Sequence, residues 1–220
     1  MFQTINFGWE KTMNSWNFVG IIAWIIVIAL LIFVVFNIRN RHLKILVEKK
    51  KKITWTTILT DLLEIVVVIL AVSGLLYTSL FTKVDLTNQD DVAVTYKYNP
   101  MIVQTTEDGQ GYYVRINKKE SSSATDVYQY WLNNTKYTVS SQNSTISDAT
   151  LPFTVSGLHL DWPMKKIKKM DSRYQNAYVI TVQAKYKNNF INGLGLKANR
   201  FAMEYRVLRV PARSFINVAK

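Results

Sequence analysis

The sequence contains no cysteine and only two histidines, His42 and His159, among its 220 residues. The absence of cysteine excludes disulfide bonds, a catalytic thiolate and a zinc site built on thiolates. Two distant histidines cannot form a His-rich metal site, and no phosphate-binding loop, dinucleotide fingerprint or G-x-S-x-G motif occurs. We therefore expect no metal and no cofactor, and a protein that is not an enzyme.

Negative charge is also scarce, because 15 Asp and Glu residues stand against 27 Lys and Arg residues, which gives a formal net charge of +12. Residues 39–52 hold seven Lys or Arg residues and a single Glu, whereas residues 1–16 hold one residue of each sign. Residues 82–220 hold 19 basic and 11 acidic residues. Surfaces of this kind attract anionic partners electrostatically.

Long hydrophobic runs are the strongest feature that is present. Phe18 to Phe36 contains no polar side chain, and its 19 residues would cover about 28 Å as a helix, close to the thickness of a bilayer core. Ile65 to Phe81 is a second run. We predict transmembrane helices at residues 17–38 and 55–81, joined by a basic link at residues 39–54.

The placement of positive charge predicts the orientation of this hairpin. Because basic residues next to membrane spans remain in the cytoplasm, the link is expected inside, with the arm at residues 1–16 and the segment 82–220 outside. The first run is too long for a signal peptide and lacks a cleavage site, so we expect no cleavage. The predicted location is the cell membrane, with two spans and both termini outside. Lys49, Lys50, Lys51 and Lys52 are expected to contact anionic lipids.

Two carboxylates open the second span. Asp61 and Glu64 lie three residues apart and so share one helix face. They could lie at the inner membrane boundary near the lysines of the link, contact another membrane protein, or transfer protons or ions. Ala71, Ser73 and Gly74 form a patch of small residues that would admit a close helix neighbour, so Asp61, Glu64, Ala71 and Gly74 are candidate partner contacts.

From Asp90 onward the hydrophobic period changes to two, which is typical of strands. Val127–Leu132 and Thr135–Val139 flank Asn133-Asn134 and predict a β-hairpin. Leu151–Val155 and Leu158–Trp162 also alternate, with a predicted bulge at Gly157. The expected fold class is a membrane-anchored α+β protein. A two-helix transmembrane hairpin precedes a mainly antiparallel extracytoplasmic β domain of seven or eight strands, arranged as a sandwich or an open barrel-like sheet.

Two surfaces of this domain are candidates for binding. A short amphipathic helix is predicted at Pro163–Asp171, with Met164, Ile167 and Met170 inward and its lysines outward. Candidate residues for a polyanion are Lys165, Lys166, Lys168, Lys169, Arg173, Arg206, Arg209 and Arg213. A glycine-containing loop at residues 188–199 carries Phe190, Ile191, Leu194 and Leu196, which either touch the membrane or a partner or pack over the edge of the sheet.

In layout and composition over its whole length, the chain resembles the small two-span membrane proteins of lactic-acid bacteria, a resemblance that carries no motif and implies no activity. The first functional hypothesis is a non-enzymatic protein of a Gram-positive cell envelope that binds teichoic acid, another anionic wall polymer or an envelope protein complex. The alternatives are an accessory subunit of a membrane enzyme or transporter, and an outer-surface hydrolase that uses His159 with Asp161. No nucleic-acid partner is expected, since no binding motif occurs.

Overall fold

The computed structural model describes residues 14–49, 55–81, 85–118, 125–155 and 158–219. The predicted contacts of Lys50–Lys52, the side chain of Lys49, most of the N-terminal arm and the predicted bulge at Gly157 lie outside the described part of the chain. The chain divides into two compact units. The helical unit consists of Met1–Lys83 and Tyr186–Arg200, and the β unit consists of Val84–Lys185 and Phe201–Lys220.

The regular elements follow one another in this order along the chain. They are α1 (Asn17–Lys49), α2 (Trp55–Leu76), a π-helical turn (Tyr77–Phe81), β1 (Val92–Pro100), β2 (Gln104–Thr105), β3 (Gly111–Tyr112), β4 (Val114–Asn117), β5 (Val127–Leu132), β6 (Thr135–Ser140), β7 (Ser144–Asp148), α3 (Met164–Arg173), β8 (Tyr178–Tyr186), α4 (Phe190–Leu194), β9 (Phe201–Val210), a 3₁₀ turn (Arg213–Phe215) and β10 (Ile216–Ala219).

In the helical unit, α1 packs against both α2 and α4. The segments Asn17–Val47 and Trp55–Phe81 are long and apolar enough to cross a membrane. Most of their large apolar side chains are exposed rather than covered by the rest of the protein. Helix α1 continues beyond Arg39, so the first residues of the predicted basic link are helical.

The β unit contains two four-stranded sheets, with strand orders β1-β8-β9-β7 and β10-β4-β5-β6, and a two-stranded sheet of β2 and β3. Strands β7 and β9 are parallel, as are β10 and β4, so each larger sheet is mixed. The pairs β4–β5, β5–β6 and β8–β9 are antiparallel. No closed barrel forms among the described residues.

Two hydrophobic clusters lie on opposite faces of the sheet that contains β8 and β9. In the first cluster, Val179 and Leu208 meet Val114 and Tyr130 of the other four-stranded sheet. In the second, the remaining face of β8 and β9 packs against Ile167 and Met170 of α3 and against the chain between β7 and α3. Alternating side chains of the same strands therefore fill both clusters, as the period-two pattern of β8 requires.

The structure confirms some of the predicted elements and corrects others. The hairpin of β5 and β6 turns at Asn133 and Asn134, which have φ values of 45° and 62°. Leu151–Val155 and Leu158–Trp162 are not strands. Phe153, Val155, Leu160 and Trp162 instead pack on the second cluster from an irregular segment, which gives alternating burial without a partner strand. Leu151 is exposed.

Helix α3 forms as predicted, with Ile167 and Met170 buried. Met164 was expected to face inward, but it is 41% exposed because it lies at the very start of the helix, before the buried face begins. Strands β7 and β10 were not predicted. Their sequences, STISD and INVA, are too short or too polar to produce a period-two signal.

Candidate functional site

The exposed face of α3 is the main cluster of positive charge in the described β unit. Ile167 and Met170 are 1% and 8% exposed, so they fix which side of the helix faces the core. Lys165, Lys166, Lys168 and Lys169 and the terminal Arg173 are all exposed. None of these five forms an ion pair with another described residue, so their charge is not neutralised within that part of the chain. We call these five residues the α3 basic face.

Hydrogen bonds and aromatic contacts hold α3 in place. The Tyr178 hydroxyl donates to Asp171 Oδ1 at 2.8 Å. Burial, followed by this hydrogen bond, raises the pKa of Tyr178. The Lys166 ammonium lies 5.0 Å from the centre of the Tyr98 ring, and burial raises the pKa of Tyr98 to about 12. Both phenols therefore stay neutral at ordinary pH and present a rigid base beneath the lysines.

The other predicted polyanion-binding residues differ from the α3 basic face. Arg209 is 4% exposed and donates to Ser147 Oγ at 2.8 Å and to the Asp148 carbonyl at 3.1 Å. Arg206 donates to Glu204 and to the Tyr130 hydroxyl. These two arginines satisfy buried acceptors, so they are not part of the exposed basic surface. Arg213 is exposed, and its Nε lies 3.6 Å from Asp148 Oδ2.

Polar residues of α1 and α2 meet at one end of the hairpin. Arg41 forms ion pairs with both Asp61 and Glu64. His42 Nε2 lies 2.7 Å from Asp61 Oδ2, and Asn37 donates to Glu64 at 2.8 Å. These five residues, the charged end, are only partly exposed. The two candidate carboxylates therefore have partners within the chain itself. The structure does not bring Ala71 and Gly74 into this cluster, and a β-carbon at Gly74 would meet no atom within 4 Å.

Three of the chain's eight glycines lie at the opposite end of the hairpin. A β-carbon at Gly20 of α1 would lie 2.5 Å from the Gly193 carbonyl oxygen. One at Gly193 would clash with the backbone of Trp16, and one at Gly195 would lie 2.7 Å from the Thr78 carbonyl oxygen. Only glycine permits this approach of backbone to backbone. The loop between β8 and β9 thus contacts the first turn of α1 and the π-helical turn after α2.

Asn17 adds two hydrogen bonds to this junction. Its Nδ2 donates to the Ala198 carbonyl at 3.1 Å, and its Oδ1 accepts from the Ala198 amide at 3.0 Å. Leu196, whose side chain packs against the position of Gly20, has a φ of 58°. A non-glycine residue in this region costs about 1 kcal/mol, which the surrounding contacts must offset. We call Asn17, Gly20, Gly193, Gly195 and Ala198 the glycine end of the hairpin.

The four apolar residues of this loop differ in how far the helical unit covers them. Phe190 and Ile191 are 58% and 59% exposed, whereas Leu194 and Leu196 are half-buried. The sequence predicted that this loop either touches the membrane or a partner or packs over the edge of the sheet. Neither alternative included a contact between the loop and the two long helices. The structure assigns the whole loop to the helical unit.

The model of a protein family of unknown function matches residues 15–217. The chain belongs to this family. The matched range includes nearly all of both compact units, and the hairpin, the glycine end and the α3 basic face lie within it. Neither a search of curated proteins nor a search of solved structures found a match.

The proposed catalytic residue has little support from its surroundings. His159 is exposed on the irregular segment before α3, and no described residue forms a hydrogen bond with its ring. Asp161 lies two residues later on the same segment and is also exposed. Among the described residues, no group of three or more His, Asp or Glu side chains is arranged to hold a metal ion.

Sequence reasoning missed the residues that hold the hairpin together. Arg41 was counted only as a charge of the link, and His42 only as one of two isolated histidines, although their spacing from Asp61 and Glu64 across a helical hairpin was a usable signal. Gly20 is the single glycine of α1, and Gly193 and Gly195 lie two residues apart in a loop. Isolated glycines of this kind indicate a close approach of backbone, but the sequence does not show what approaches.

Proposed function

We propose that this protein is a non-enzymatic, membrane-anchored protein of a Gram-positive cell envelope whose β unit binds an anionic wall polymer. The observation that carries the proposal is the α3 basic face, with five exposed positive charges on a helix whose opposite side is fixed in the core. A teichoic acid, with a phosphate in each repeat, is the class of polymer that this surface suits. Binding would be electrostatic and sensitive to salt.

Two observations support the membrane anchor and its orientation. The hairpin exposes large apolar side chains along both helices, which are stable only in an apolar environment. The Lys and Arg residues between the spans favour a cytoplasmic link, and hence a β unit on the outer side. The absence of cysteine fits an outer domain that folds without disulfides.

The number of exposed lysines on α3 sets the expected size of the effect on polymer binding. Each exposed charge pair contributes about 0.5 kcal/mol. Loss of the four α3 lysines should therefore weaken polymer binding by roughly 2 kcal/mol, which is about thirtyfold. We expect the full-length protein in detergent micelles to pellet with teichoic-acid-bearing cell walls at low salt and to be released as the salt concentration rises.

A matched variant separates this site from the general positive charge. The test variant carries Lys165, Lys166, Lys168 and Lys169 changed to Gln. The control variant has the same loss of charge at exposed residues of the β unit outside α3, namely Lys97, Arg115, Lys118 and Lys185 changed to Gln. Only the test variant should lose pelleting. Equal losses in both variants, or no pelleting of the wild-type protein at low salt, would refute the proposed site.

A second proposal, an accessory subunit of a membrane enzyme or transporter, is favoured by one observation. The side of α2 at Gly74 is open, since a β-carbon there would meet nothing within 4 Å. Asp61 and Glu64, in contrast, each form an ion pair with Arg41, so a charged contact with a partner would compete with a contact inside the chain. Gly74→Leu should reduce co-purification of membrane partners if this proposal holds, and an unchanged set of partners argues against it.

A further inference from the structure

We infer that the loop between β8 and β9, residues 188–199, is a third membrane-embedded element, and that Phe190 and Ile191 contact lipid acyl chains at the glycine end of the hairpin. The inference rests on the membrane anchor proposed above. It goes beyond that proposal because it assigns a lipid-binding role to the loop that connects β8 and β9.

The loop contacts both long helices slightly inside the ends of their apolar runs. Gly193 packs against Gly20, which lies two residues inside the apolar run that begins at Phe18. Gly195 packs against Thr78, three residues before the second run ends at Phe81. At 1.5 Å per residue, these contacts place the loop about 3–5 Å inside the ends of both apolar runs. The loop is therefore level with residues that need lipid around them.

The second argument is the loop's own hydrogen bonding. A non-helical segment at membrane depth must satisfy its backbone within the protein. The amides of Gly193, Gly195 and Leu196 donate to carbonyls of the same loop at 2.9 to 3.0 Å. Asn192 accepts from the Lys197 amide through its carbonyl and donates through Nδ2 to the Lys187 carbonyl.

Both ends of the segment are closed in the same way. Asn189 caps α4, because its Oδ1 accepts from the Asn192 amide at 2.8 Å. Asn17 of α1 satisfies both backbone groups of Ala198. The loop therefore presents little unpaired backbone, as a lipid-embedded segment requires, even though three of the residues that achieve this are asparagines.

The third argument is the continuity of the exposed apolar surface. Phe190 and Ile191 are 58% and 59% exposed, which lies between the values for Phe18, at 52%, and for Phe81, at 68%, at the same end of the two spans. Lipid is the occupant that this position favours, because the surface surrounding the loop is the lipid-facing side of the hairpin.

The composition of the loop fits an interfacial position. Lys187, Lys197 and Arg200 flank the apolar tip in sequence. Long basic side chains at such positions extend toward headgroups while their stems stay in the apolar layer.

The absence of cysteine makes a direct test possible. Phe190→Cys and Ile191→Cys each create a single thiol in the full-length chain, which is labelled with an environment-sensitive fluorophore and reconstituted into vesicles of phosphatidylcholine and phosphatidylglycerol. Leu80→Cys serves as the control for a lipid-facing position. Asp108→Cys, in the turn between β2 and β3, serves as the control for an aqueous position.

The expected result has two parts. Labels at residues 190 and 191 should lose as much fluorescence to nitroxide-bearing lipids as the label at residue 80. They should also be protected from iodide, whereas the label at residue 108 is quenched by iodide and not by the nitroxide lipids. Because Phe190 and Ile191 are exposed, their replacement should leave the fold intact.

Three outcomes would overturn the inference. Quenching of the loop labels by iodide to the same extent as at residue 108 would place the tip in water. Protection from both quenchers would mean that another protein or a second copy covers it. If the label at residue 80 is also accessible to iodide, the membrane anchor itself fails. If the labels at residues 190 and 191 are accessible to iodide while the label at residue 80 is quenched by nitroxide lipids, the loop inference fails and the membrane anchor stands. Polymer binding by the β unit is measured separately.

Discussion

The two ends of the helical hairpin are held by different kinds of interaction. At the charged end, Arg41 joins two carboxylates of α2. At the glycine end, Gly20, Gly193 and Gly195 bring backbone against backbone. The first end depends on charge and tolerates adjustments of position, whereas the second depends on the absence of side chains and tolerates almost none. The difference predicts which substitutions damage which end.

The largest effect is expected for Arg41→Gln, which removes the cation that joins Asp61 and Glu64 and leaves Glu64 with only its hydrogen bond from Asn37. Removing one partner of a buried ion pair costs about 3–5 kcal/mol, and partial exposure reduces this to about 3 kcal/mol. The measurement is the free energy of unfolding in detergent micelles. Arg39→Gln is the matched control, since Arg39 is exposed and pairs with no described residue. Similar losses for both variants would show that Arg41 acts only through net charge.

A somewhat smaller loss is expected for Gly193→Ala, because the added methyl group would overlap the backbone of Trp16. Overpacking of this kind costs about 2 kcal/mol. The same unfolding measurement applies, together with hydrogen exchange of the amides of residues 188–199, which should lose protection. Gly74→Ala is the control, because its methyl group meets open space and improves helix propensity by up to about 1 kcal/mol. Unchanged exchange in Gly193→Ala would contradict the packing described here.

Asn17→Ala should cost about 1 kcal/mol, since it removes two hydrogen bonds to Ala198 at a buried position. Hydrogen exchange should show faster exchange of the Ala198 amide while the charged end is unaffected. Asn14→Ala removes two exposed hydrogen bonds, one to Asn188 and one from the Trp16 amide, and should have a smaller effect because both are exposed to solvent. Equal losses of unfolding free energy in Asn17→Ala and Asn14→Ala would show that the buried hydrogen bonds to Ala198 contribute no more than exposed ones.

The smallest effect concerns salt. Raising the salt concentration from 0.05 to 0.5 M shortens the screening distance to about 4 Å, so the difference between wild type and Arg41→Gln should narrow by a few tenths of a kcal/mol. The difference between wild type and Gly193→Ala should stay constant, because steric overlap is not screened. A salt-dependent loss in Gly193→Ala would show that the two ends are not distinct.

The sequence predicts well those elements whose signal is local. The two apolar runs, the β5–β6 hairpin with its Asn-Asn turn and the buried face of α3 all follow from spacing along the chain. The parallel pairs of β7 with β9 and β10 with β4 were not predictable, because a short strand is defined by a partner distant in sequence. The alternation in Leu151–Val155 misled for the related reason that one-sided burial does not require a strand.

The same distinction between local signals and tertiary contacts applies to the candidate sites. The exposure of Lys165 to Lys169 follows from helical period, but the burial of Arg206 and Arg209 depends on Glu204, Asp171 and Ser147, which only the tertiary fold brings to them. The pairing of Asp61 with Arg41 required knowing how α1 and α2 align. The contact of Gly20 with Gly193 joins residues too far apart for any sequence window to connect.

That separation has a consequence for how the molecule is made. Asn17 and Ala198 are 181 residues apart, and at a synthesis rate of roughly 5–20 residues per second, roughly 10 to 35 s separate the two on the ribosome. During this interval the hairpin already exists while the residues that close its glycine end do not. Closure of that end is therefore a late step of biogenesis. It occurs only after the ribosome has synthesised β8, α4 and the residues that lead into β9.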